Sequence, residues 1–344
     1  CIAGRKKMNK FNLLECTLRD GGYITDWNFN DEMIKETVEK LIQSHFDFIE
    51  IGYLNSKPYV PNTTQFQSIE KIADFIPKNR GGSTILAMAD VQQFLPEDLT
   101  PYTGNSIDGI RVVFYKHQIE EAIAMGKAVK ANGYKLFMQP MVTIDYTVDE
   151  YLDLAKKICE IDPYAVSIVD SFGYMIKEDF QKYFRLLDNV LPDEIIIGFH
   201  SHNNMNLALI NAQDVLDYKT TRRIIIDSSL LGMGRGAGNL QTELIANYYN
   251  QILGEKYDIN NIIDLISKYI IPIKKEKNWG YSPYFLVTAL YHCHPNYASY
   301  LLQEHDVTVT EFRKFITKIP KDMYTKCRKP YVIQMYEEYL KGEK

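Results

Sequence analysis

The sequence predicts a (β/α)8 TIM barrel with a C-terminal helical extension, and three observations carry that expectation. Eight short apolar runs recur along the 344 residues, with helix-periodic segments between most of them. Polar residues able to do chemistry gather at the C-terminal ends of those runs, where a barrel of this kind places its site. Beyond about residue 255 the strand-like runs stop and only helical periodicity remains.

The eight runs are residues 12–18, 46–54, 83–89, 109–115, 135–142, 165–169, 195–199 and 223–228. Most are rich in Ile, Val or Phe, as parallel strands buried on both faces require. Between them the apolar spacing turns helical: Met33, Ile34, Val38, Leu41 and Ile42 follow the first run. Ile119, Ala122, Ile123 and Val129 follow the fourth, and Tyr151, Leu152, Leu154, Ala155 and Ile158 the fifth. Gly133 and Pro192-Asp193 act as helix stops. The third helix is the poorest, because Pro96 and Pro101 interrupt residues 90–103. Residues 10–255 are therefore expected to form the catalytic barrel. Residues 256–344 are expected to be a helical region packed on it, with aromatics clustered at 279–300.

Composition narrows the class. Hydrophobic residues make up 46% and charged residues 24%, as in a globular enzyme with a sizeable core. A net charge of −5 gives no electrostatic reason to expect nucleic acid or an anionic membrane. No apolar run approaches the ~20 residues of a membrane span. Residues 1–7 contain no signal-peptide hydrophobic region. Cys1, Cys16, Cys159, Cys293 and Cys327 lack CxxC spacing and read as reduced thiols, which points to a cytoplasmic protein.

The sharpest motif is Gly198-Phe199-His200-Ser201-His202-Asn203-Asn204, behind Ile195-Ile196-Ile197. On a strand, residues i and i+2 face the same way, roughly 6–7 Å apart, so both imidazoles can reach one divalent cation. Far upstream, Leu14-Glu15-Cys16-Thr17-Leu18-Arg19-Asp20-Gly21-Gly22 ends another apolar run in a cation, a carboxylate and two glycines. Asp20 would supply the anionic ligand and Asn239 a further one. Glu50, Asp90 and Asp170-Ser171 sit near other strand ends, where a lone carboxylate is more often a lumen salt bridge than a catalyst. The run Gly232-Met233-Gly234-Arg235-Gly236 reads equally well as a tight turn or as a phosphate cradle.

Together these residues resemble the metal-dependent aldolase and lyase barrels that include 4-hydroxy-2-oxovalerate aldolase and 3-hydroxy-3-methylglutaryl-CoA lyase. Thr17-Leu18-Arg19-Asp20-Gly21 is similar to the family's first-strand signature, and His200-Ser201-His202-Asn203 to its strand-seven metal motif. Gly236-Ala237-Gly238-Asn239 with Thr242-Glu243 is similar to the strand-eight loop. Ile49-Glu50-Ile51-Gly52 and Asp170-Ser171-Phe172-Gly173 also match. Trp279-Gly280-Tyr281-Ser282-Pro283 resembles the aldolase branch's helical region, which carries an active-site tyrosine at the position of Tyr281.

The resemblance implies that Asp20, His200 and His202 bind a divalent ion, with Asn239 a further ligand or a neighbour of one. Oxygen and imidazole ligands without thiolate suit Mn²⁺ or Mg²⁺, with Co²⁺ or Zn²⁺ as alternatives. Arg19 would pair with the 2-oxo oxygen of a substrate, and Ser171 would help hold its carboxylate. Carbon–carbon cleavage beside a ketone leaves an enolate, whose charge a Lewis-acid metal and a guanidinium would stabilise. The activity the resemblance implies is an aldolase joining or cleaving a 2-oxo acid, with pyruvate as that acid, and an aldehyde. The family also suggests a partner dehydrogenase or a homo-oligomer.

One departure stands out. The aldolases place a catalytic histidine two residues beyond the Asp-Gly pair, where this chain has Tyr23. The general base is thus open among metal-bound water, Tyr23, Glu50 and Tyr281. The strand-eight loop lacks the cysteine of the acyl-CoA lyase branch, which weakens a Claisen synthase or lyase as the alternative. A non-catalytic barrel binding partners through its tail is a third reading, opposed by the intact Arg19, Asp20, His200 and His202. His292-Cys293-His294 is read as helical packing and Lys116 as no Schiff-base lysine.

Overall fold

The computed structural model describes residues 10–342 except Lys219, Glu255 and Lys326. Eight parallel strands close on themselves: β1 (Phe11–Glu15), β2 (Phe48–Leu54), β3 (Thr84–Asp90), β4 (Gly109–Phe114), β5 (Lys135–Pro140), β6 (Ala165–Asp170), β7 (Ile196–Ser201) and β8 (Ile224–Ser228). β1 pairs with both β2 and β8, which completes the barrel. A two-residue strand, Gln65–Phe66, adds to the far end of β2. The predicted (β/α)8 architecture is the observed one.

Helices form where the sequence caps them. Asn30 accepts from the Met33 N–H to start the helix Asp31–Gln43, whose buried face is Met33, Ile34, Thr37, Val38, Leu41 and Ile42. Between β3 and β4 the expected weak helix is reduced to a single 3₁₀ turn, Pro96–Asp98, as its prolines dictate.

The strands' two-residue period builds the lumen in layers. Leu14, Phe48, Leu86, Phe137, Ile196 and Ile225 pack together as an apolar floor. Two residues on toward the strand C-termini, the same faces carry Glu50, Gln139 and Asp227, with Arg111 joining them from β4. All four are buried. A register shift in β2 between Glu50 and Tyr53 lets two residues three apart serve one side, Glu50 in the lumen and Tyr53 at the mouth. Gly198 lies two residues before His200, where a Cβ would fall 2.3 Å from the Ser167 hydroxyl.

Past β8, the buried Ile262, Leu265, Ile266, Ile270 and Trp279 join the barrel's own core. A second, smaller core runs from Phe285 to Tyr336 and includes Ala237 from the loop after β8. The helical tail therefore packs against the loop that completes the site. No helix among the described residues is long and apolar enough to cross a membrane.

Candidate metal centre and active site

Asp20, His200 and His202 converge at the C-terminal mouth of the barrel, all three buried, with ligand atoms within 4.8 Å of one another. Their convergence depends on a local departure from the expected first strand. β1 ends at Glu15, and Thr17–Asp20 forms a helical turn in which the Cys16 carbonyl accepts from the Arg19 and Asp20 N–H groups at 3.1 and 2.8 Å. On a strand, adjacent residues would face opposite ways. The turn instead brings both Arg19 and Asp20 to the same cavity.

Each imidazole is fixed by its second nitrogen. His200 Nδ1 donates to Asp227 Oδ2 at 3.0 Å, and His202 Nδ1 donates to the Asp170 carbonyl at 3.0 Å. In a neutral ring this arrangement leaves Nε2 with its lone pair, the tautomer that a metal requires. Burial, against the pull of Asp20, lowers the His202 pKa to about 3, so its ring is neutral. Burial alone would raise the Asp20 carboxyl, but the Arg19 guanidinium, with the Asn239 amide donating to it, holds it well below the usual carboxylate range. Its Oδ2 lies 3.6 Å from His202 Nε2.

Asn239 directs Nδ2 to Asp20 Oδ2 and to the Met233 carbonyl, leaving Oδ1 buried without a hydrogen-bond partner. A buried, unmet amide oxygen beside one carboxylate and two imidazole nitrogens fits a divalent cation of the Mg²⁺, Mn²⁺, Co²⁺ or Zn²⁺ type. The glycine run reads as close approach here: a Cβ on Gly234 would fall 2.8 Å from Asp20 Oδ2 and 2.5 Å from Asn239 Nδ2.

Below the triad runs a buried relay of alternating charge. Arg19 Nη1 donates to Asp20 at 2.5 Å and Nε to Glu50 Oε2 at 2.7 Å. Arg111 donates to the same Glu50 oxygen at 3.0 Å and, through Nη2, to Asp227 Oδ2. Asp227 then holds His200. Asp20 and His200 are therefore tied into the same chain of ion pairs. Sequence reasoning missed Arg111 and Asp227. The available signal was a charge inside an apolar run, Ile110-Arg111-Val112 and Ile226-Asp227. Asp227→Asn should lower divalent-metal affinity by about 10–100-fold, the usual effect of losing the group that orients a ligand. Metal titration of the purified variant checks this, and unchanged affinity would make Asp227 a partner of Arg111 alone.

A cavity of about 50 Å³ is lined by Arg19, Asp20, Tyr23, Ser171, His200, His202 and Arg235, among others. Ser171 Oγ accepts from the Val142 N–H at 2.8 Å, which leaves its own proton free to donate. Val142 itself is held at φ 52°, unusual for a β-branched residue. Tyr23 OH lies 3.0 Å from Tyr53 OH, and Trp27 packs edge-on to Tyr23 with centroids 4.8 Å apart.

Other expected residues lie elsewhere. Tyr281 is 54% exposed and lines a separate outer cleft of about 880 Å³, which shares Tyr23 and Arg235 with the cavity. Trp279 anchors that segment through Nε1 to the Leu231 carbonyl at 3.0 Å, and Gly280 at φ 115° carries the chain outward. Glu50 Oε2 is engaged by two guanidiniums. The Asp170 carboxylate caps the next loop through the Tyr174 and Met175 N–H groups, and burial raises its pKa to about 7. Lys116 pairs with Glu150 on the surface. His292-Cys293-His294 is not helical: it forms the turn after the helix Pro283–Leu290, with His292 at φ 56°. Its residues do pack, His292 on Tyr174 and His294 on Phe172.

Residues 113–268, which carry β5–β8 with His200, His202, Asp227 and Asn239, match the HMGL-like family model. That stretch of the chain is similar to the HMGL-like family. The chain is 27% identical over 276 residues to the 4-hydroxy-2-oxovalerate aldolase of Chloroflexus aggregans, covering 76% of each chain. It is 24% identical over 279 residues to the oxaloacetate decarboxylase of Mycobacterium tuberculosis, covering 79% of this chain and 80% of that one. Among solved structures, the N-terminal domain of a proposed aldolase from Bacteroides vulgatus superposes with a TM-score of 0.75 at 26% identity. That match covers 88% of this chain and 99% of the other. The chain is thus similar to proteins named as aldolases and as a decarboxylase.

Proposed function

We propose that this protein is a divalent-metal-dependent carbon–carbon lyase that forms the enolate of a 2-oxo acid, pyruvate being the simplest. The observation that carries the reading is the buried set Arg19, Asp20, His200 and His202 around one cavity at the barrel mouth. Aldol cleavage of a 4-hydroxy-2-oxo acid and decarboxylation of a 3-carboxy-2-oxo acid release the same enolate, so the names of both relatives support one site chemistry.

Asp20, His200 and His202, with Asn239 alongside, would hold the cation, which supplies a Lewis acid for the 2-oxo oxygen when bound. The chain's own groups do the rest. Arg19 uses two of its five N–H donors on Asp20 and Glu50 and has others for the developing oxyanion. Ser171 offers its hydroxyl proton to the substrate carboxylate. The Tyr23–Tyr53 hydroxyl pair is the proton carrier nearest this chemistry, since Tyr281 lies on the outer cleft and Glu50 is bound by two arginines. In this reading residues 10–255 are the catalytic unit and 256–344 wall the outer cleft, where an aldehyde would leave or enter.

The test is product release. The metal-loaded protein should liberate pyruvate from 4-hydroxy-2-oxovalerate or from oxaloacetate, and a chelator should abolish it. Thiol release from acyl-CoA substrates, with no pyruvate from either acid, would instead favour the acyl-CoA lyase branch.

A further inference from the structure

Arg235 is the one cation on the cavity that the reading above leaves without a task. It projects from Gly234-Arg235-Gly236 in the loop after β8 and lines both the metal-side cavity and the outer cleft. Among the described residues it forms no ion pair. Asp20, the carboxylate whose charge reaches it, is already shared by Arg19, His202 and Asn239. Its guanidinium lies 3.9 Å above the Tyr23 ring, and its polar contact is Nη1 to His294 Nε2 at 3.1 Å.

That contact has one proton too many. The Asn296 N–H donates to His294 Nδ1 at 3.1 Å, which places the hydrogen of a neutral imidazole on Nε2. Burial, then Arg235 and His202, keep the ring neutral. Nε2–H therefore faces a guanidinium N–H, donor against donor. The other tautomer only moves the conflict to Asn296. An acceptor between the two would satisfy both, and an anionic one would also balance the charge of Arg235.

We propose that Arg235, with His294 Nε2–H beside it, is an anion receptor between the cavity and the outer cleft. It selects substrates that carry a second negative group, a dicarboxylate being the simplest. This rests on the 2-oxo acid reading of the triad. Arg235 and the triad line one cavity of about 50 Å³, several times the ~10–15 Å³ that a water needs, so the two ends of a short diacid would be read together.

Calorimetric titration of the metal-loaded full chain with L-malate and L-lactate tests it. Both acids offer the same 2-hydroxycarboxylate to the triad, and malate adds one carboxylate. Malate should bind about tenfold tighter, as a charge-assisted hydrogen-bonded pair implies. In Arg235→Gln the ratio should fall to about one. In Arg235→Lys it should be intermediate, because the charge stays and the fork is lost. Circular dichroism verifies that each variant is folded. Equal affinity of the two acids in the unmodified protein, or an undiminished ratio in folded Arg235→Gln or Arg235→Lys, overturns the proposal. If neither acid binds, the 2-oxo acid reading fails separately, and inorganic phosphate decides on Arg235. Phosphate binding that Arg235→Gln removes upholds the receptor, and no phosphate binding in the unmodified protein overturns it.

Discussion

Arg19→Ala is expected to lower kcat about 10²–10³-fold, the loss seen when one oxyanion-stabilising donor is removed. The helical turn Thr17–Asp20 brings Arg19 into the cavity beside Asp20, and Glu50 holds its Nε at 2.7 Å, so the guanidinium is fixed before substrate arrives. Arg19→Lys should rescue little, because a point charge cannot hold Glu50, Asp20 and a substrate oxygen together as a planar fork can. Steady-state kinetics with metal occupancy measured in parallel separates lost chemistry from lost metal. Near-normal turnover in either variant, at full occupancy, would reduce Arg19 to a structural ion pair.

Arg111→Met is expected to cost about 3–5 kcal/mol of stability, the usual effect of breaking a buried pair by removing one partner. Arg111 is fully buried between Glu50 and Asp227, and its loss would leave each carboxylate short of a partner in the lumen. Adding Glu50→Gln should recover part of the loss, since it removes one of the uncompensated charges; the two effects would then be non-additive. Urea denaturation of the two single variants and the double variant measures this. A loss below about 1 kcal/mol for Arg111→Met would mean that water or rearrangement readily replaces the guanidinium.

Much of this architecture was legible in the order of residues. The eight apolar runs matched the eight barrel strands because parallel strands buried on both faces need continuous Ile, Val and Phe, a pattern that survives without knowing the partners. His200 and His202 were legible because a two-residue spacing at a strand end has one geometric meaning. Arg111 and Asp227 were not. A charge inside an apolar run looks like noise until the barrel closes and sets β4, β2 and β8 around one lumen. The turn at Thr17–Asp20 was hidden for a similar reason, since Cys16-Thr17-Leu18 reads as strand and only the Cys16 carbonyl contacts reveal the bend. Tyr281 was drawn toward the site by resemblance, and its placement on the outer cleft follows from Trp279 and Gly280. The His294–Arg235 contact joins segments 59 residues apart and carries no local signal.

Enolate formation from a 2-oxo acid is the step proposed for this cavity, and proton exchange reads it without any aldehyde. Pyruvate incubated in deuterium oxide with the metal-loaded protein should lose its methyl proton signal, and a chelator should stop the loss. Tyr23→Phe should slow the exchange while Tyr281→Phe leaves it intact, if the Tyr23–Tyr53 pair carries the proton. No exchange above the chelated control, in protein shown to hold its metal, would contradict the account.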